Sequence, residues 1–220
     1  MTYPHGADDA GRPGSVGEHA LQEASGSRDR ADRFYREQMS TQLNEEMQEF
    51  IARMEMVFVG TADGQGECDV TFRAGPAGFV RILDPRTISW PEYRGNGVLA
   101  STGNITENAH VGLLFMDFVQ DLVGLHVNGA AALLAADEFE QRYPTEHVAV
   151  DIPGRQPERW VVVDVHEAYI HCSKHVPRLV PVPRNRAWGT DDRKKKGGDY
   201  FGVAAERGLA PHQRSGASGR

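Results

Sequence analysis

A short helix is written into the middle of a largely strand-forming chain, in the segment from Gly95 to Phe118, GNGVLASTGNITENAHVGLLFMDF. A polar, glycine-broken loop leads into a run of small hydroxyl and amide side chains, and an abruptly apolar strand follows. A helix that opens just after a Gly/Asn turn leaves its first backbone N–H groups without intrahelical partners, and such groups attract a phosphate or similar anion. Asn96, Ser101, Thr102 and Asn104 can add neutral hydrogen bonds to that anion. Taken alone, the same residues also describe a plain surface helix joining two strands, with Gly95 and Asn96 as its turn. The scarcity of long charged side chains, expected on a solvated helix face, favours the anion-binding reading.

The flanking sequence supplies a sheet for this helix. Leu43, Met47, Phe50, Ile51 and Met54 fall at helical spacing, which predicts a helix over Gln42 to Met54 with Thr41 as its cap. Val57 to Ala62 and Cys68 to Ala74 read as a strand pair joined by the turn DGQGE. After GPAG at Gly75 to Gly78, a second pair is predicted at Phe79 to Leu83 and Thr87 to Trp90, around Asp84-Pro85-Arg86. Beyond the helix come strands at Val111 to Phe118 and Leu122 to Leu134, a short helix at Asp137 to Tyr143, and a last strand at Trp160 to Ile170. Short antiparallel strands with few helices predict a mainly β barrel or sandwich, and periodicity alone leaves the two open.

Composition bounds the rest. Residues 1–33 hold almost nothing apolar and are expected to be disordered; the folded body is expected over 41–183. Residues 184–220 are expected to be a largely irregular extension that Trp188, Tyr200 and Phe201 could dock. A net charge of -7 argues against nucleic-acid binding, and the basic run Arg193 to Lys196 reads as a solvated tail. No apolar run approaches the ~20 residues that span a bilayer. The N-terminus lacks the pattern of a signal peptide, and Cys68 and Cys172 do not make a disulfide framework. A cytoplasmic protein is expected.

The order of these segments, from roughly Glu49 to Lys174, resembles the FMN-binding split barrel of the pyridoxamine 5'-phosphate oxidase-like family, in its flavin-nucleotide-binding subgroup rather than the oxidase itself. The resemblance implies an antiparallel split β-barrel, a homodimer with FMN held non-covalently at its interface, and redox chemistry on a small molecule. It implies that the phosphate sits against Asn96, Ser101 and Asn104. It lays the strand Asp69-Val70-Thr71-Phe72-Arg73 along the edge of the flavin ring, which brings Thr71, Phe72 and Arg73 to the cofactor, and it sets Trp90, Pro91 and Tyr93 beside the ring. Many relatives carry arginine or lysine in the phosphate helix, whereas this chain has Val98, Leu99, Ala100, Ser101, Thr102 and Gly103. Arg73 is the best candidate for the missing charge; the alternative is a solvated strand end paired with Asp69 or Glu67. The segment YIHCSK resembles the family's C-terminal strand end and implies that His171 or Lys174 faces substrate.

Other chemistries fit less well. His166, His171, Cys172 and His175 invite a zinc reading, but no second cluster completes a ligand set, so no metal is expected. Ser101 lies in no nucleophile elbow and Cys68 has no recognisable base. Asp117 and Asp121 read as solvated turn residues, not an acid–base pair. A deazaflavin cofactor with an acidic tail would want a basic groove, which an acidic chain does not display. A non-catalytic flavin or haem carrier, with His171 or His175 as iron ligand, is the alternative from another class. No catalytic residue is assigned.

Overall fold

Alternation of buried and half-buried side chains sets the register of the sheet. In the computed structural model, which describes residues 11–144, 156–183, 192 and 195–209, the strand Met56–Ala62 buries Val57, Val59 and Thr61 and turns Phe58 and Gly60 outward. The chain runs α1 (Val16–Ala24), α2 (Arg28–Gln38), β1 (Met39–Ser40), α3 (Glu45–Arg53), β2 (Met56–Ala62), β3 (Cys68–Ala74), β4 (Arg81–Asp84) and β5 (Thr87–Tyr93). It continues through α4 (Ala100–Glu107), β6 (His110–Met116), β7 (Gly124–Ala135), α5 (Ala136–Arg142), β8 (Pro157–His171) and α6 (Val203–Glu206).

All pairings are antiparallel, in the order β3-β2-β6-β7-β8-β5-β4, with β1 added to β8. The path does not close: β3 and β4 are its two ends. Fifteen-residue β8 is the spine, paired with β7 along one edge and with β5 and β1 along the other. The inward faces pack into one main core that includes Val59, Ile88, Phe115, Val127 and Val163, joined by Ile51 of α3 and by Leu43 just before that helix. Among the described residues no helix is long and apolar enough to cross a membrane.

The predicted strands form, with shifted ends. Phe79 and Val80 are buried in the core but precede β4, and β5 runs three residues further than expected, through Pro91. Proline is tolerated there because β4 pairs with β5 no further than Ser89, so the missing N–H leaves no ladder bond unmade on that edge. The cap of α3 is Asn44 rather than Thr41: the Asn44 side chain accepts from the Met47 N–H at 2.9 Å. Trp188 lies outside the described residues, while Tyr200 and Phe201 are exposed.

The larger difference lies in residues 1–33, expected to be disordered, where the structure has α1 and the start of α2, which runs on to Gln38. Neither helix buries a residue. They are held by polar closure: a capping box between Ser15 and Glu18, and Arg12 clasping Asp32 at 2.7 Å and Gln22 at 2.6 Å. Phe34 then meets Tyr169 of β8 edge to face at 5.8 Å.

Asp117, expected to be solvated, is buried in the turn between β6 and β7. Its carboxylate accepts from the N–H groups of Val119 and Gln120, both at 2.9 Å, and of Asp121 at 3.1 Å. Arg53 of α3 bridges Asp117 and Asp121. Burial alone would raise the Asp117 pKa, but the three backbone donors and Arg53 outweigh it and hold the carboxyl below its ordinary value. The stabilisation is complete above the ordinary carboxylate range and is lost as pH falls through the depressed folded value. Asp117→Ala should lower stability by about 1–3 kcal/mol at pH 7 by orphaning these donors, measurable by urea unfolding.

Candidate functional site

β3, at one end of the open sheet, meets the end of β5 beside the entry to α4. From β3, the side chains of Asp69, Thr71 and Arg73 turn away from the outer face; from β5, Glu92 and Tyr93 extend past the last pairing with β4. Between them lies a cavity of about 570 Å³, walled by these two strand ends and by the loop and first turn of α4. A volume of that order suits a small-molecule site.

The loop before α4 has the geometry expected of a helix entry, reached by an unusual route. Asn96 accepts from the Val98 N–H at 2.9 Å, closing an Asx turn, and Gly97 follows with φ 86°. Leu99 is the N-cap and sits in the left-handed region at φ 57°, ψ 29°, where a leucine costs about 1–3 kcal/mol. Leucine has no side-chain acceptor, and α4 begins without a side-chain cap. The Leu99 carbonyl accepts from Gly103 N–H at 2.7 Å and from the Thr102 hydroxyl at 3.0 Å. The first-turn N–H groups have no partner within the helix, and Ala100, Ser101 and Thr102, which carry them, line the cavity.

Arg73 closes the split between β3 and β5. Its Nε donates to Glu92 at 2.7 Å, Nη1 to the Thr71 hydroxyl at 2.6 Å, and Nη2 to the Ser101 hydroxyl at 2.8 Å. The Trp90 indole N–H donates to the same Glu92 oxygen at 2.8 Å. Arg73 is therefore paired, but with Glu92 and not with Asp69 or Glu67. Glu92 went unremarked in the sequence; its signal was its place two residues beyond Trp90, on the same strand face.

Of the residues singled out in the sequence, the cavity gathers Thr71, Phe72 and Arg73 from β3, Pro91 and Tyr93 from β5, and Asn96 and Ser101 from the α4 entry. Trp90 is not on the wall. It is buried in the core and acts on the site through Glu92. Asn104 also lies outside it, since its amide donates to the Thr61 hydroxyl at 3.1 Å and ties α4 to β2. His171 and Lys174 are elsewhere, His171 on β8 and Lys174 in the exposed 3₁₀ turn Ser173–His175. His171 Nδ1 lies 3.1 Å from Nε2 of His126, which stacks on Tyr169. Among the described residues no group of three or more His, Cys, Asp or Glu could hold a metal ion.

Burial, then the neighbouring His171, lowers the His126 pKa from its ordinary 6.5. The folded state thus favours neutral His126; stability is full above the unfolded value near 6.5 and falls as the pH drops through the lower folded value. Melting temperature should decline on acidification from pH 7.5 to 5.5, and His126→Gln should flatten that decline.

The family model described as pyridoxamine 5'-phosphate oxidase matches residues 43–172. No curated protein matches the chain. Among solved structures, HupZ from Group A Streptococcus is similar at 19% identity, covering 63% of this chain and 99% of that one, with a TM-score of 0.42. HutZ from Vibrio cholerae, a heme storage protein, is similar at 13% identity over 59% of this chain and 94% of that one, with a TM-score of 0.41. General Stress Protein 26 from Bacillus anthracis is similar at 12% identity over 58% and 92%, with a TM-score of 0.40. At such identities and scores these likenesses carry no argument about function.

Proposed function

The chain belongs to the pyridoxamine 5'-phosphate oxidase family, and on that premise we propose that it binds FMN in the α4 cavity and acts as a flavin-dependent oxidoreductase on a small molecule. The observation that carries this reading is the meeting of an uncapped helix start with Ser101 and Arg73 on one cavity wall. That donor set suits a phosphate, with Ser101 and the first-turn N–H groups as its partners. The cavity wall of β3 suits the ring, because β3 ends the sheet and its outer edge has backbone groups available to a flavin's polar rim. Bound flavin would supply the hydride or single-electron chemistry, leaving the protein to position it, tune it and exclude water.

Two exposed apolar residues on the wall, Val70 and Phe72, suit a cover from a second copy of the chain, which supports a homodimer with the cofactor at its interface. The free, exposed thiols of Cys68 and Cys172 suit a reducing compartment such as the cytoplasm. A deazaflavin with an acidic tail is less suited to a wall that carries Asp69 and Glu92. Haem binding in a carrier or sensor would draw on the half-buried His126–His171 pair instead, and would give a Soret band where the favoured reading gives flavin bands.

Calorimetric titration with FMN and riboflavin separates phosphate contacts from ring contacts. Ser101→Ala should weaken FMN about threefold to tenfold, the value of one neutral hydrogen bond, and spare riboflavin. Arg73→Ala should cost more, because it also leaves Glu92 unpaired beside the cavity. Equal binding of both ligands by parent and variants would move the site elsewhere.

A further inference from the structure

We infer that Asp69 makes this site selective for a substrate that carries a positive charge, an ammonium or a similar cation, which its carboxylate meets on the cavity wall. The inference rests on the FMN reading above and deepens it by naming the substrate class. Asp69, Thr71 and Arg73 share one side of β3 and all three line the cavity. Arg73 reaches Ser101 at the α4 entry. At the usual strand rise Asp69 stands about 13 Å along β3 from Arg73, at the other end of the strand. The wall thus has one end suited to an anion and another that presents a carboxylate.

What sets Asp69 apart is that its carboxylate has no partner. Every other charged side chain on the wall, among the described residues, is engaged. Arg73 and Glu92 hold each other at 2.7 Å, and Lys196 has a contact of its own. The Asp69 side chain is half-buried, yet among the described residues it accepts no hydrogen bond and makes no ion pair. Asp69 also stands on the rim of a second cavity of about 570 Å³, whose wall has no lysine or arginine among the described residues. The other carboxylate there, Glu167, already accepts from the Asn128 amide at 2.8 Å. A half-buried carboxylate without a donor pays a desolvation cost that a bound cation would offset. A phosphate seated at the α4 entry adds further negative charge to the cavity, so the occupied site attracts a cationic second ligand and repels an anionic one.

The test is calorimetric titration of the full chain with benzylamine, benzyl alcohol and benzoate, which share a ring and differ in charge. It is run with and without saturating FMN, for the parent and for Asp69→Asn, an isosteric change that leaves the strand's packing in place. The parent should bind benzylamine roughly tenfold more tightly than benzyl alcohol, the value of a charge-assisted contact, and benzoate least. Added salt should narrow that preference. Asp69→Asn should abolish it and cost no affinity for FMN or riboflavin. A parent without the preference, or an Asp69→Asn protein that keeps it, would overturn the role of Asp69 while leaving FMN binding standing. An Asp69→Asn protein that loses FMN and riboflavin affinity alike would make Asp69 a flavin contact and overturn its substrate role. A parent that binds no FMN but keeps an Asp69-dependent preference for benzylamine would overturn the FMN reading and leave the selectivity of Asp69 standing.

Discussion

Arg73 and Glu92 come from opposite arms of an open sheet, and their ion pair joins what backbone hydrogen bonding leaves apart. In the strand order β3-β2-β6-β7-β8-β5-β4, β3 and β5 are separated by four strands, yet 2.7 Å separates the Arg73 guanidinium from the Glu92 carboxylate. The split barrel is therefore closed here by side chains. Such a pair repays its desolvation only when its remaining donors and acceptors are used. Thr71 and Ser101 take the other Arg73 contacts, and Trp90 takes Glu92. Losing either partner would leave the other charge half-buried, so the clasp holds the cavity's shape as well as its charge.

A second constraint sits at the mouth of α4. Leu99 occupies a left-handed conformation that leucine disfavours, and as N-cap it offers no oxygen to the helix. A serine or aspartate there would cap the first turn and compete with a bound anion for its N–H groups. Leucine leaves those groups to the cavity and adds an apolar surface to its wall. Local strain and an uncapped helix start thus fall at the position where the proposed phosphate sits, a pairing frequent at binding sites.

Much of this was legible in the chain itself. The strands announce themselves by period-2 burial, as in Val57, Val59 and Thr61, and the helix after Asn96 by its small polar residues. What joins these elements was not legible. Glu92 meets Arg73 across the split, a contact that no local spacing encodes. Asp117 reads as a turn residue because the partners that allow its burial are backbone N–H groups, which every sequence has. Trp90 carried the right aromatic signal, but its ring faces the core and only its N–H serves the site. In residues 1–33 low apolar content suggested disorder, although the capping box at Ser15 and Glu18 already marked a helix start.

The most direct measurement is a crystal structure of the full chain grown with FMN. The account predicts the phosphate within hydrogen-bonding distance of Ser101 and the first-turn N–H groups of α4, with the ring against the edge of β3 between Thr71 and Arg73. Flavin bound on the outer sheet face beside His126 and His171, with the α4 cavity filled only by water, would contradict it.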